Sequence, residues 1–270
     1  MMIITLSFVF LFGLIAGSFF NVLIWRLPRG ESIVSPPSHC TSCNAMIPAL
    51  HNIPVVSYLF LRGRCGHCGA RISPIYPLVE FATALVAVLF WAALADGHPG
   101  PWWNMVSPVV KIFALLIMVP VTIIDLRHYI IPDIITYTGI IAGLAVSFIP
   151  GDTTPLLSLL GILAGGGSLA LIGLIGEWLF RKGEAMGGGD IKLMAFAGAM
   201  WGPKIALLGI MSGAFLGAAA GIVLIVMRKL DDDHRIPFGP FLGAGVWIAV
   251  LFGDKGVMLY MRWIESLLLR

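Results

Sequence analysis

Charge is what this chain has least of: Asp, Glu, Lys and Arg make up 11% of its 270 residues, against 59% hydrophobic ones, and the mean hydropathy is +0.96. That composition excludes an ordinary water-soluble domain, because several uninterrupted apolar runs approach the ~20 residues that span ~30 Å of hydrocarbon. A net charge of +3 is too small to argue for a nucleic-acid partner. No basic residue precedes the first apolar stretch, Met2 to Trp25, whereas Arg26 and Arg29 follow it. A cleaved signal peptide has the reverse order, so an uncleaved anchor with its N-terminus outside is expected despite Ala16-Gly17-Ser18. Lysine is missing from 26–75, the longest polar stretch, although Arg26, Arg29, Arg62, Arg64 and Arg71 lie in it. The positive-inside rule places this loop in the cytoplasm. No glycine fingerprint of the soluble dinucleotide-binding kind follows a strand pattern, so any nucleotide-like cofactor needs a pocket built from the loop and helix ends.

The expected fold is an all-α polytopic membrane protein: a first helix over 1–25, a cytoplasmic loop over 26–75 and a membrane core over 76–270, with about eight crossings. After the first helix the apolar runs are 76–95, 104–124, 134–149, 156–180, a short 191–201, 204–227 and 236–252. The loop 96–103 carries no Lys or Arg and belongs outside, with Trp102 and Trp103 in the interfacial aromatic belt. Arg127, Arg181 with Lys182, and Arg228 with Lys229 mark inner ends, and Asp231-Asp232-Asp233 reads as a solvated run. Pro120 is expected to kink its helix. The last stretch, 257–269, carries Arg262 and Glu265 and reads as interfacial or incomplete.

The chain has four cysteines, all in the polar loop. Cys40-Thr-Ser-Cys43 and Cys65-Gly-His-Cys68 are separated by 21 residues, a spacing that closes a tetrahedral thiolate site for zinc. Two disulfides are the competing reading, disfavoured by a reducing cytoplasm. Gly63, Gly66 and Gly69 allow tight turns, and His39 and His67 read as exposed neighbours of a site already filled by four thiolates.

Two carboxylates stand where charge is expensive. Asp190 follows Gly187-Gly188-Gly189 and opens an apolar run, while Asp125 ends the run 111–124 at the same expected membrane face. Two aspartates brought together cannot both ionise cheaply, so one keeps a proton and the other activates water. The bland alternatives are a headgroup carboxylate for Asp125 and a helix N-cap for Asp190. Asp133, after Pro132, reads first as a helix-start charge, and Lys192 as a side chain that snorkels to the headgroups or stabilises negative charge. Gly165-Gly166-Gly167 reads as close helix packing.

Taken together, the motifs resemble those of the bacterial type IV prepilin peptidases, GxGD intramembrane aspartyl proteases, nearly end to end. The matching residues are Gly17-Ser18-Phe19-Phe20-Asn21-Val22 with Arg26-Leu27-Pro28, the four cysteines, Asn52-Ile53-Pro54 with Ser57, Arg62-Gly63, Ile72-Ser73 with Tyr76-Pro77 and Glu80, Asp125 with Ile131-Pro132-Asp133, Gly187 to Asp190 with Lys192, and Pro237-Phe238-Gly239-Pro240. The resemblance implies that Asp125 and Asp190 are the catalytic pair. It also implies a multi-pass protein of the bacterial inner membrane whose substrates are type IV prepilins or pseudopilins, cut on the cytoplasmic side after a glycine. The cysteine loop marks the longer, bifunctional form, which methylates the new N-terminus with S-adenosylmethionine. Glu80 is a candidate for the methylation site or for holding the substrate amine, with an ion pair to a loop arginine as the structural alternative. Two other classes were weighed: a proton-coupled transporter, which should show internal repeats that are not seen here, and a zinc-knuckle assembly subunit indifferent to its aspartates.

Overall fold

The computed structural model describes residues 2–94, 105–150, 153–180, 186–227 and 236–268. The loop 96–103 with its two tryptophans, the basic pairs at 181–182 and 228–229, and the aspartates at 231–233 lie outside the described residues. Helices account for nearly all of the regular structure, and the described residues contain two isolated β-bridges and no strand. Six helices are long and apolar enough to cross a membrane, and a seventh, Asp133–Val146, is apolar but shorter. The protein is a multi-pass membrane protein. It divides into two compact units: Met1–His98 with Leu115–Ile124, and Pro99–Ala114 with Asp125–Arg270.

In the first unit α1 (Met2–Arg26) packs against α3 (Ile75–Leu94). Ile4, Phe8, Leu11, Ile15 and Phe19 remain exposed along one stripe of α1, whereas Phe20, Leu23 and Ile24 are buried. Such a stripe faces lipid, which does not drive helices together, so the contact depends on close packing. Gly13 and Gly17 supply it: a Cβ on Gly13 would lie 2.5 Å from Cα of Ala84, and one on Gly17 would lie 2.6 Å from Cα of Glu80. The sequence reading passed over this GxxxG spacing. Between the helices lie the cysteine loop and the short α2 (Val56–Phe60).

Next, α4 (Val106–Leu116) and α5 (Met118–His128) form one apolar rod interrupted at Ile117. Pro120 has no N–H to give the carbonyl of Leu116, so the expected kink falls one turn before the proline.

The second unit is built around α9 (Gly188–Val226), whose neighbours are α6 (Asp133–Val146), α7 (Pro155–Ile162), a π-helical turn Leu163–Gly167, α8 (Ser168–Phe180) and α10 (Gly239–Leu268). Gly202 breaks α9 with φ 79° and ψ −178°, and Pro203 follows it. A Cβ on Gly165 would lie 2.2 Å from the carbonyl oxygen of Met194 and 3.2 Å from Cβ of Ala206. In a straight helix those two residues would be ~18 Å apart. The chain therefore turns back at Gly202, as the pairing of a short and a long apolar run requires.

Length alone yields six crossings against the eight expected, for two reasons. The 14 residues of α6 fall short of a span, and α9 counts once although it reverses direction. Gly161 and Gly198 seat the first arm of α9 on α7, since a Cβ on Gly161 would lie 2.0 Å from the carbonyl oxygen of Gly198. Gly165 and Gly166 press on 191–195 in the same way, which is the packing role expected of that triplet. At the far end α10 runs through Gly253 and Asp254 without the break expected near residue 252. One glycine costs a helix only about 1 kcal/mol, and Asp254 stays at the surface, paired with Lys204.

Candidate active site and thiolate cluster

Asp125 sits in the last turn of α5 and is 5% exposed. Its Oδ2 accepts the backbone N–H of Gly239 at 2.9 Å. Gly239 opens α10, where the first N–H groups have no acceptor within their own helix. The Asp125 carboxylate thus caps a helix more than a hundred residues later, with its charge at the positive end of that helix. This partnership was not foreseen, although Pro237-Phe238-Gly239-Pro240 was its visible trace.

Asp190 lies in the first turn of α9, with Gly187 at the N-cap and no side-chain cap bond, so the simple capping alternative is not what the structure forms. A Cβ on Gly187 would lie 2.9 Å from Oδ2 of Asp190. Its other oxygen, Oδ1, is buried without a hydrogen-bond partner among the described residues. Ile131 joins the two carboxylate neighbourhoods: its side chain would stand 3.0 Å from a Cβ on Gly189 and 3.1 Å from one on Gly239. The charge of Asp125 acts on Asp190 across this junction. Glycine at both positions leaves backbone bare beside two carboxylates, an arrangement that lets another backbone lie against them.

Asp133 stands in the first turn of α6, the helix-start position expected of it, and it also pairs with Lys192. Lys192 Nζ donates to Asp133 Oδ1 at 2.5 Å and lies over the ring of Tyr137 at 5.4 Å. The pair bridges the starts of α6 and α9 near Asp190, so Lys192 is held by a side chain of its own chain.

In the first unit the four Sγ atoms of Cys40, Cys43, Cys65 and Cys68 lie within 4.8 Å of one another, with Cys40 and Cys68 3.9 Å apart. Four thiolates at about 2.3 Å from a zinc ion stand about 3.8 Å from each other, so this donor set fits the ion. The two halves repeat one design. Cys40 N–H donates to Ala45 and Cys65 N–H to Ala70, while Asn44 and Gly69 N–H donate back to the first cysteine of each pair. Asn44 and Gly69 both take left-handed φ, 55° and 71°, and bridges His39–Met46 and Arg64–Arg71 close each knuckle. Backbone N–H groups of Ser42 and Cys43 hold the Cys40 thiol down to about 6, and those of Cys68 and His67 lower that of Cys65. The neighbouring thiols push Cys68 the other way, up to about 11, so a bound metal would have to displace the protons that remain on the set.

Glu80, 8% exposed on α3, turns its carboxylate to the loop: Oε2 accepts the N–H of Val55 at 2.7 Å. Val55 is itself unusual, a β-branched residue at φ 61°, ψ −48°, in a tight turn closed by Val56 N–H to the Pro54 carbonyl at 2.6 Å. That is the rare, strained form of the three-residue turn.

Two family models match the chain. The Bacterial Peptidase A24 N-terminal domain matches residues 11–94, and the Type IV leader peptidase family matches residues 112–222. A prepilin leader peptidase/N-methyltransferase of Aeromonas hydrophila is 36% identical over 94% of this chain and 93% of its own length. The chain belongs to the type IV leader peptidase family. Relatives of the same name in Pseudomonas aeruginosa and Bacillus subtilis are each 34% identical, covering 93% and 95% of this chain and 92% and 98% of theirs. No solved structure matches. Family membership makes the protein an enzyme, a membrane-embedded peptidase, and both aspartates fall inside the segment matched to the leader peptidase family.

Proposed function

We propose that this enzyme is an aspartyl endopeptidase of the bacterial inner membrane. It removes the basic leader of type IV prepilins or pseudopilins after a glycine, on the cytoplasmic side, and then methylates the new N-terminus with S-adenosylmethionine. The observation that supports the peptidase reading most directly is the buried, unpartnered Oδ1 of Asp190 in the field of Asp125. A buried carboxylate oxygen with nothing to accept from calls for a water molecule or a substrate group.

Two carboxylates in one water-poor site hold one proton between them. The ionised member takes a proton from water as the water oxygen bonds to the glycyl carbonyl carbon, while the protonated member gives its proton to the carbonyl oxygen. When the C–N bond breaks, the departing amine takes the proton from the carboxyl group that received it, one hydroxyl of the tetrahedral carbon returns its proton to the other carboxylate as the carbonyl re-forms, and the pair is restored. Gly187 and Gly189 admit the substrate backbone. The N–H of Gly239 fixes Asp125 throughout.

The four cysteines would hold zinc as a structural ion. S-adenosylmethionine, when bound, supplies a methyl group on a positively charged sulfonium. The substrate amine, having released one proton to water, would be the group that receives that methyl. On this reading α1 begins in the periplasm, the loop 26–75 is cytoplasmic, and both arms of α9 and the shorter α6 cross, giving eight crossings.

The test is cleavage of a prepilin-like peptide in detergent by the Asp125→Asn and Asp190→Asn variants. Each is expected to lose about 10²–10⁴-fold in rate. Cleavage at the parental rate by either one excludes the aspartyl mechanism. Mass spectrometry of a co-expressed pilin's N-terminus reports leader removal and the added methyl group together.

A further inference from the structure

The first unit encloses a cavity of about 510 Å³, within the range of roughly 300–1,000 Å³ typical of small-molecule sites. Its wall runs from the inner end of α1 across both cysteine knuckles and α2 to the start of α3. Three kinds of lining group matter. Tyr58 and Tyr76 contribute aromatic rings, Arg71 a positive charge, and Glu80 a buried carboxylate, whereas the Trp25 ring already carries the Arg29 guanidinium at 3.7 Å. The second guanidinium in the wall, that of Arg26, is already committed to the carbonyls of Ser32 and Pro36 at 2.8 and 2.6 Å.

We infer that this cavity is the methyl-donor pocket, and that Glu80 is the counter-charge to the donor's sulfonium. The assignment rests on the methyl-transfer half of the reading above. A donor of that chemistry has a flat heteroaromatic base, a carboxylate and a fixed positive charge on sulfur, and the wall offers a complement to each: aromatic faces, Arg71 and Glu80. A sulfonium has no proton to donate, so it is recognised by charge and aromatic faces alone. The Glu80 carboxylate has neutral partners, the N–H of Val55 and the side chain of Ser18, so a positive charge in the cavity would be the first to meet it.

The second observation is the strain at Val55. Its N–H is the hydrogen-bond donor that orients the Glu80 carboxylate, and φ 61° is a strained conformation for a β-branched residue. Strain of that kind persists where it serves a site. Here it fixes a carboxylate in the cavity wall.

Binding to the full-length protein in detergent tests this without any turnover. Calorimetric titration with S-adenosylmethionine and with S-adenosylhomocysteine, its neutral thioether product, is compared for the parent, Glu80→Gln and the blocking variants Ala45→Trp and Ala70→Trp. Variants are scored only if they retain one zinc per chain. The blocking variants are expected to weaken both ligands at least about tenfold; Glu80→Gln is expected to weaken the sulfonium at least about tenfold and the thioether less than about threefold. In the parent, hydrogen exchange at 53–58 is expected to slow when S-adenosylmethionine is added.

Unchanged binding in the blocking variants, or no protection at 53–58 although the parent binds, overturns the pocket while leaving methyl transfer in place. Equal losses for both ligands in Glu80→Gln overturn its role as counter-charge. A parent that binds neither ligand overturns the methyl-transfer reading and the pocket with it, whereas cleavage by the aspartates stands apart from all three results.

Discussion

The N–H of Gly239 and the Oδ2 of Asp125 meet at 2.9 Å in a buried contact, so the carboxylate at the end of one helix is oriented by the first residue of another. Any side chain at 239 would intrude on that contact, because a Cβ there would lie 2.6 Å from the same oxygen. A misplacement of about 1 Å is worth roughly 10² in rate. Gly239→Ala should therefore slow peptide cleavage about a hundredfold while the protein stays folded in detergent. Cleavage kinetics and a melting curve check it.

The thiolate cluster leads to a stoichiometric prediction. Purified protein should carry one zinc per chain by elemental analysis, and Cys→Ser at 40, 43, 65 or 68 should abolish it. Since a structural ion supplies folding free energy to the segment that holds it, chelation should open the loop 38–72 to protease. Protease resistance of the metal-free loop would contradict a zinc-dependent fold.

Close helix packing in the second unit can be separated from glycine flexibility by two substitutions. Gly161→Ala puts a methyl group 2.0 Å from the carbonyl oxygen of Gly198, a backbone atom that cannot rotate away. It should cost at least about 1–3 kcal/mol and lower the melting temperature measurably. Gly167→Ala meets nothing within 4 Å and should leave the melting temperature unchanged or slightly raised.

Lys192 and Asp133 form an ion pair close to Asp190 in the chain, but their side chains are 31% and 58% exposed. Exposed pairs contribute about 0–1 kcal/mol. A double-mutant cycle with Lys192→Gln and Asp133→Asn should give a coupling of about 1 kcal/mol or less in thermal or denaturant unfolding. A much larger value would mean that the pair is shielded from water in the membrane-bound protein.

Much of this was legible from one-dimensional order because it depends on composition and spacing. Apolar length fixes a membrane helix whatever it packs against, and two CxxC pairs 21 residues apart place four sulfurs near each other whenever the loop closes. The two aspartates stood out for a similar reason: a charge beside a long apolar run is costly wherever the run ends.

Tertiary contact decided what spacing cannot carry. That Asp125 caps the helix opened by Gly239, that Ile131 joins the two carboxylate neighbourhoods, and that α9 doubles back at Gly202 all depend on which backbones approach within a few ångströms. A glycine is silent about its neighbour, since it has no side chain to mark one. The strained turn at Val55 shows the same limit most clearly: nothing in a valine flanked by proline and valine announces a positive φ, and only the Glu80 carboxylate across the fold explains where its N–H is directed. Chain order chose the residues for both chemistries, and packing in three dimensions set the distances at which those residues act.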